Sequence, residues 1–112
     1  MKLPNLENAI VKREKVVDYL LSMTHRDGRG KAKFFFGFGF VLEQWQVLAE
    51  ALKAHAAAND VSESVTSPFG MRYIINGELE APDGRKPRVR AVWFVEDGDD
   101  VPTLVTAFPG RW

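Results

Sequence analysis

Arg88-Val89-Arg90-Ala91-Val92-Trp93-Phe94-Val95-Glu96 is the stretch whose reading decides the fold. Residues of this kind, β-branched and aromatic and alternating with arginines, suit a pleated strand far better than a helix. Val89, Ala91, Trp93 and Val95 fall on one face, and Arg88 and Arg90 open the other. Downstream, Gly98-Asp99-Asp100 offers a turn before a strand near Thr103–Phe108. Upstream, Pro82-Asp83-Gly84 offers a turn after a strand near Met71–Glu80. Ser67-Pro68-Phe69-Gly70 separates that strand from one near Val61–Thr66. Three short connections join four strands, so the spacing predicts an antiparallel meander.

Alternation also predicts the faces. Tyr73, Ile75 and Leu79 join Val89, Ala91, Trp93, Val95, Val105 and Ala107 on the core side. The other face is then expected to carry Arg72, Asn76, Arg88, Arg90 and Thr106. Mixed with them come Ile74, Val92, Phe94, Leu104 and Phe108. Such a face is too apolar to be simply solvated, so protein or ligand is expected to cover part of it.

Before Asp60 the period changes. Val16, Val17, Leu20 and Leu21 recur at helical spacing within about Lys12–Ser22. Trp45, Leu48, Ala49, Leu52 and Ala56 form one stripe of a helix over Glu43–Asn59, and His55 falls on that stripe with Leu52 and Ala56 as a packed core-edge histidine. The polar Thr24–Gly30 segment reads as a loop. Lys31 to Phe40 is open from its residues alone. Its phenylalanines alternate from Phe34, as in a strand, but it also reads as a buried helix closed by Gly39. The fold class expected is α+β, a single domain over 1–112. Three N-terminal helices precede a four-stranded antiparallel meander and pack on one face of it.

The chain has no cysteine, which excludes disulfides and thiolate metal sites and points to the cytoplasm. No run approaches the length of a membrane span and the first residues carry no signal core, so no membrane partner is expected. Net charge is zero, so nucleic-acid affinity would need a local basic face. Basic residues do cluster, at Lys12, Arg13 and Lys15; at Arg26, Arg29, Lys31 and Lys33; and at Arg85, Lys86, Arg88 and Arg90.

Two constellations could carry chemistry. His25 sits in a glycine-rich basic loop with Arg29 and Lys31, where imidazole can act near neutral pH and the cations can hold phosphate. Arg72, Arg88 and Arg90, with Thr106 on the neighbouring strand, are suited to bidentate phosphate recognition. Each has a plainer reading, a solvated loop histidine and arginines paired with Glu78 or Glu80. Two histidines far apart in sequence argue against zinc, and no cofactor is expected. The acids Asp97, Asp99 and Asp100 read as turn residues, not as a hydrolytic pair.

Gly37-Phe38-Gly39-Phe40-Val41 resembles the base-stacking strand of RNA-recognition motifs, but its flanking order departs from that fold, and an aromatic core segment is favoured. A broader resemblance runs along the chain. Pro4-Asn5-Leu6-Glu7-Asn8-Ala9, Asp18-Tyr19-Leu20-Leu21, His25 with Gly28-Arg29, Lys31-Ala32-Lys33-Phe34-Phe35, Val89-Arg90-Ala91-Val92-Trp93 and Leu104-Val105-Thr106-Ala107-Phe108-Pro109 resemble a bacterial family of small proteins of unknown function. That likeness implies a helix over Lys31 to Phe38. More distantly, the order of elements is similar to the metal-independent ribonuclease toxins of the barnase, EndoU, colicin and RelE-like group. This second likeness implies RNA cleavage, with His25 as acid and base, Lys31 and Arg90 stabilising phosphate, and Thr106 bonding a phosphate oxygen. Arg29, Arg72 and Arg88 would bind substrate, and a cognate antitoxin would be the partner. The competing expectation is a non-catalytic binding or assembly module, such as a homodimer, that uses the open sheet face.

Overall fold

A computed structural model describes residues 1–110. It is an α+β fold with an antiparallel four-stranded sheet. Short 3-10 turns occupy Leu6–Asn8 and Leu42–Gln44. Helix α1, Arg13–Lys15, runs straight into a π-helical turn, Val16–Leu20. Helices α2, Arg29–Gly37, and α3, Trp45–Ala58, complete the helical part. The strands are β1, Val61–Ser67; β2, Gly70–Glu78; β3, Arg88–Glu96; and β4, Thr103–Pro109, in the order β1-β2-β3-β4. No helix among the described residues is long and apolar enough to cross a membrane.

The open segment around the phenylalanines is helical. Gly39 ends it with φ +98°, and its N–H returns to the carbonyl of Phe36. This conformation lets the chain reverse after α2, as left-handed glycine caps do. Phe35 and Phe40 enter the core and meet edge-on with ring centroids 5.9 Å apart. The base-stacking strand reading of Gly37–Val41 is therefore overturned. The tip of the β2–β3 hairpin docks on this helix end. Arg85 bonds the Gly37 carbonyl at 2.6 Å and covers the Phe38 ring. Its bonds to Asp83 hold that exposed carboxyl below its usual range.

The core lies between α3 and the Ile75, Val89, Ala91 and Trp93 face of the sheet, with Leu48 and Leu52 fully buried. His55 is buried at 2% exposure, packed beside Leu52 and Ala56 as its place on the helix stripe implies. Its Nε2 donates to the carbonyls of Val89, at 2.9 Å, and Gly77, at 3.2 Å, which are register partners on β3 and β2. Desolvation holds its pKa below the ordinary histidine value, against the opposing pull of the two carbonyls.

Two expectations fail at β4. Val92 pairs with Thr106 but Trp93 pairs with Leu104, so Val105 is an extra, bulged residue. The bulge reverses the alternation beyond it. Leu104, expected on the second face, turns into the core at 1% exposure. Val105, expected in the core, is only half-buried. The helices are also not confined to one sheet face. The N-terminal chain runs beside β4 through an Ile10–Thr103 bridge, and the π turn reaches past that edge to Thr106.

Candidate active site

The π turn explains how the site is built. Leu21 N–H reaches five residues back to the Val16 carbonyl at 2.8 Å, widening the turn. Val16 and Leu20 remain buried, while Tyr19 is carried to the second sheet face. Tyr19 Oη lies 2.9 Å from Thr106 Oγ1, and either hydroxyl can donate. The His25 ring meets Tyr19 edge-on at 4.9 Å between centroids. Lys15 and Lys31 place their ammoniums 5.0 Å and 5.3 Å from the Tyr19 ring centroid. Lys31 also stands 6.0 Å from the Phe108 ring, and its Nζ donates to the Asp27 carbonyl.

The loop that closes this cluster depends on Gly28. A Cβ there would collide with the Tyr19 carbonyl. The Gly28 and Asp27 N–H groups both donate to His25 Nδ1 at 3.0 Å, so the neutral ring carries its proton on Nε2. An imidazolium would carry a second proton on Nδ1, facing two other donors. In this arrangement Nδ1 is occupied by two backbone amides and Nε2–H is the group His25 presents as a hydrogen-bond donor.

The structure therefore brings His25, Lys31 and Thr106 together around Tyr19. Arg90 is next along the second face, paired in register with Phe108 and donating from Nε to Asn76 at 2.8 Å. Arg72 lies opposite Phe94, on the far side of the face. Arg29 is exposed at the start of α2, and Arg88 lies opposite Glu78 at the end of β3 remote from Phe94. These last three stand apart from the cluster. Among the described residues, no carboxylate lies within ion-pair distance of Lys15, Lys31 or Arg90. Sequence reasoning missed Tyr19 and Lys15 as site residues. The available signal was a phenol beside the buried Leu20, since a part-buried tyrosine hydroxyl seeks a partner.

A cavity of about 320 Å³ adjoins the cluster, with Lys15 on its wall. A larger one, about 580 Å³, lies at the other edge of the sheet between α3 and β2. Its cations Lys86 and Arg88 are offset by Glu78 and Glu80, and its histidine, His55, is locked to backbone carbonyls. Each cavity holds two cations and two acids, Lys12 and Lys15 with Glu96 and Asp99 in the smaller, so size alone favours the larger and the adjoining Tyr19–Thr106 hydroxyl pair favours the smaller. No group of three His, Asp or Glu side chains converges as a metal site among the described residues.

Residues 2–111 match the family described as a domain of unknown function, DUF6883. The chain belongs to that family. No curated protein matches it. Among solved structures it is similar to a chain of a contact-dependent growth inhibition toxin–immunity protein complex from Klebsiella pneumoniae 342. The two share 18% identity and a TM-score of 0.71, covering 96% of this chain and 97% of the other. At that identity the likeness establishes a shared fold.

Proposed function

We propose that this domain is a metal-independent, toxin-like ribonuclease whose active site is the groove around Tyr19. The observation that carries the reading is the convergence, beside Arg90, of a hydroxyl pair, a histidine and two lysines that have no ion-pair partner among the described residues. Such a set suits a phosphodiester, because its charge grows as the 2′-oxygen attacks phosphorus. The P–O5′ bond then breaks, leaving a 2′,3′-cyclic phosphate and a 5′-hydroxyl. The Tyr19–Thr106 pair relays the proton. One hydroxyl takes it from the 2′-OH while the other gives its own to the departing O5′. Lys15, Lys31 and the His25 Nε2–H stabilise the dianionic phosphorane, and Arg90 holds the substrate on the sheet. The acid–base role implied for His25 by the ribonuclease likeness would require Nδ1 to leave its two amides, so the donor role is favoured.

The likeness to a toxin–immunity complex supports a toxin reading and a cognate inhibitor, for which this cationic groove is the complementary target of an acidic surface. Induced expression in bacteria tests the proposal. Growth arrest by the wild type, relieved in Tyr19→Phe and Lys31→Ala at equal protein level, is the expected result. Unchanged growth with wild type removes the toxin reading.

A second reading is favoured by one observation. Phe94 and Phe108 are half-buried on the same face, as in an interface that a protein partner would complete. A homodimer through this face would cover the groove. Sedimentation showing a monomer at micromolar concentration counts against it.

A further inference from the structure

The 320 Å³ cavity has a composition that the phosphate chemistry does not use. Its lining brings together Lys12 and Lys15, Phe94 and Thr103, and the acids Glu96 and Asp99. Phe94 is half-buried and its ring reaches over Gly70 of β2, where a Cβ would stand 2.8 Å from Cζ. The missing side chain makes room for an aromatic platform at the cavity. Phe94 lies two residues along β3 from Val92, the register partner of Thr106. That offset is about 7 Å, roughly one nucleotide of an extended strand.

The two lining acids differ. Asp99 Oδ1 accepts from the backbone N–H groups of Asp100 and Val101, as a turn residue does. Glu96 has no ion pair or side-chain hydrogen bond among the described residues, although lysines line the same cavity. A carboxylate here would repel phosphate, so its presence in a phosphate groove calls for a different ligand group. Ring platform, acceptor and adjacent cations together fit a nucleobase. The ring stacks on its face, the carboxylate accepts from its edge, and the lysines meet its phosphate.

We propose that this cavity is a subsite for the base next to the scissile phosphate of single-stranded RNA. Phe94 stacks on the base, and Glu96 selects those with an exocyclic amino group over uracil. The inference rests on the ribonuclease reading above. Duplex RNA is a poor substrate, because a paired base cannot reach the ring.

The test uses the full chain and short oligonucleotides with one ribonucleotide in a deoxy background, which fixes the cleavage point. The base on either side is varied among adenine, cytosine, guanine and uracil. The wild type is expected to prefer amino-bearing bases on one side by about 5- to 100-fold, the range of a good edge contact. Glu96→Gln should collapse that preference while retaining cleavage. Phe94→Leu should raise KM for every base with little change in kcat, and unfolding curves establish that it folds. Cleavage with no base preference, or a preference unchanged in Glu96→Gln, overturns this subsite and leaves the ribonuclease reading standing. No cleavage of any oligonucleotide overturns both.

Discussion

The two histidines of this chain are both fixed by two backbone groups, in opposite senses. His25 accepts two N–H groups at Nδ1, in a loop at the β4 edge. His55 donates from Nε2 to two carbonyls, inside the core beside β2. The first is half-buried among cations and hydroxyls, and its surroundings are open to a ligand. The second is enclosed, with no partner for Nδ1 among the described residues, and a proton there would be a buried, uncompensated charge. A similar local grip therefore serves a groove in one place and inter-strand packing in the other. The electrostatic surroundings decide which.

The largest expected effect that separates the two regions is at Gly28. Gly28→Ala forces the loop off Tyr19 and should lower stability by about 2–3 kcal/mol, the upper range for ordinary point changes. It should also abolish activity, and urea unfolding with an RNA-cleavage assay reads both. His55→Ala should cost a similar 2–3 kcal/mol, since it leaves two carbonyls short of a donor and opens a cavity. It should leave the groove intact. Activity measured well below the unfolding transition must stay near wild type, or the two regions are not separate.

Proton linkage sharpens the contrast. His55 has a folded-state pKa below its unfolded value, so the unfolded chain binds more protons in between. Its contribution to stability should be complete above about pH 6.5 and lost as pH falls below that. A His55→Gln protein should lack this acid-side decline, seen as a flatter unfolding midpoint between about pH 7 and 5. An equal decline in wild type and variant would place the sensitivity elsewhere.

Tyr19→Phe should be smaller in stability, about 1 kcal/mol for one part-buried hydrogen bond, yet large in cleavage rate. Val65→Lys on the exposed β1 strand should stay within about 0.5 kcal/mol and leave cleavage unchanged.

The sheet was legible because β2 and β3 alternate cleanly and their turns carry Pro, Asp and Gly. The bulge at Val105 was not, since Thr103–Phe108 alternates equally well in either phase, and only docking against α1 and the core chooses Leu104. The π turn was hidden for a related reason. Val16, Val17, Leu20 and Leu21 satisfy an ordinary helix, and the wider turn follows from seating Val16 and Leu20 while Tyr19 reaches Thr106. His25, Lys31 and Thr106 could be named from chemistry and resemblance, but what joins them is Tyr19, a residue with no motif of its own. Arg29, Arg72 and Arg88 shared only residue type with the cluster, and the register spreads them apart.

The central claim is that the Tyr19 groove cleaves RNA through its own side chains. The direct measurement is incubation of purified protein with a defined single-stranded RNA in excess chelator, with the product ends identified by mass spectrometry. The account predicts 2′,3′-cyclic phosphate and 5′-hydroxyl ends from the wild type, with at least about a hundredfold less product from Tyr19→Phe, as for loss of a proton-transfer group. Intact RNA with wild type, or equal cleavage by the variant, would contradict it.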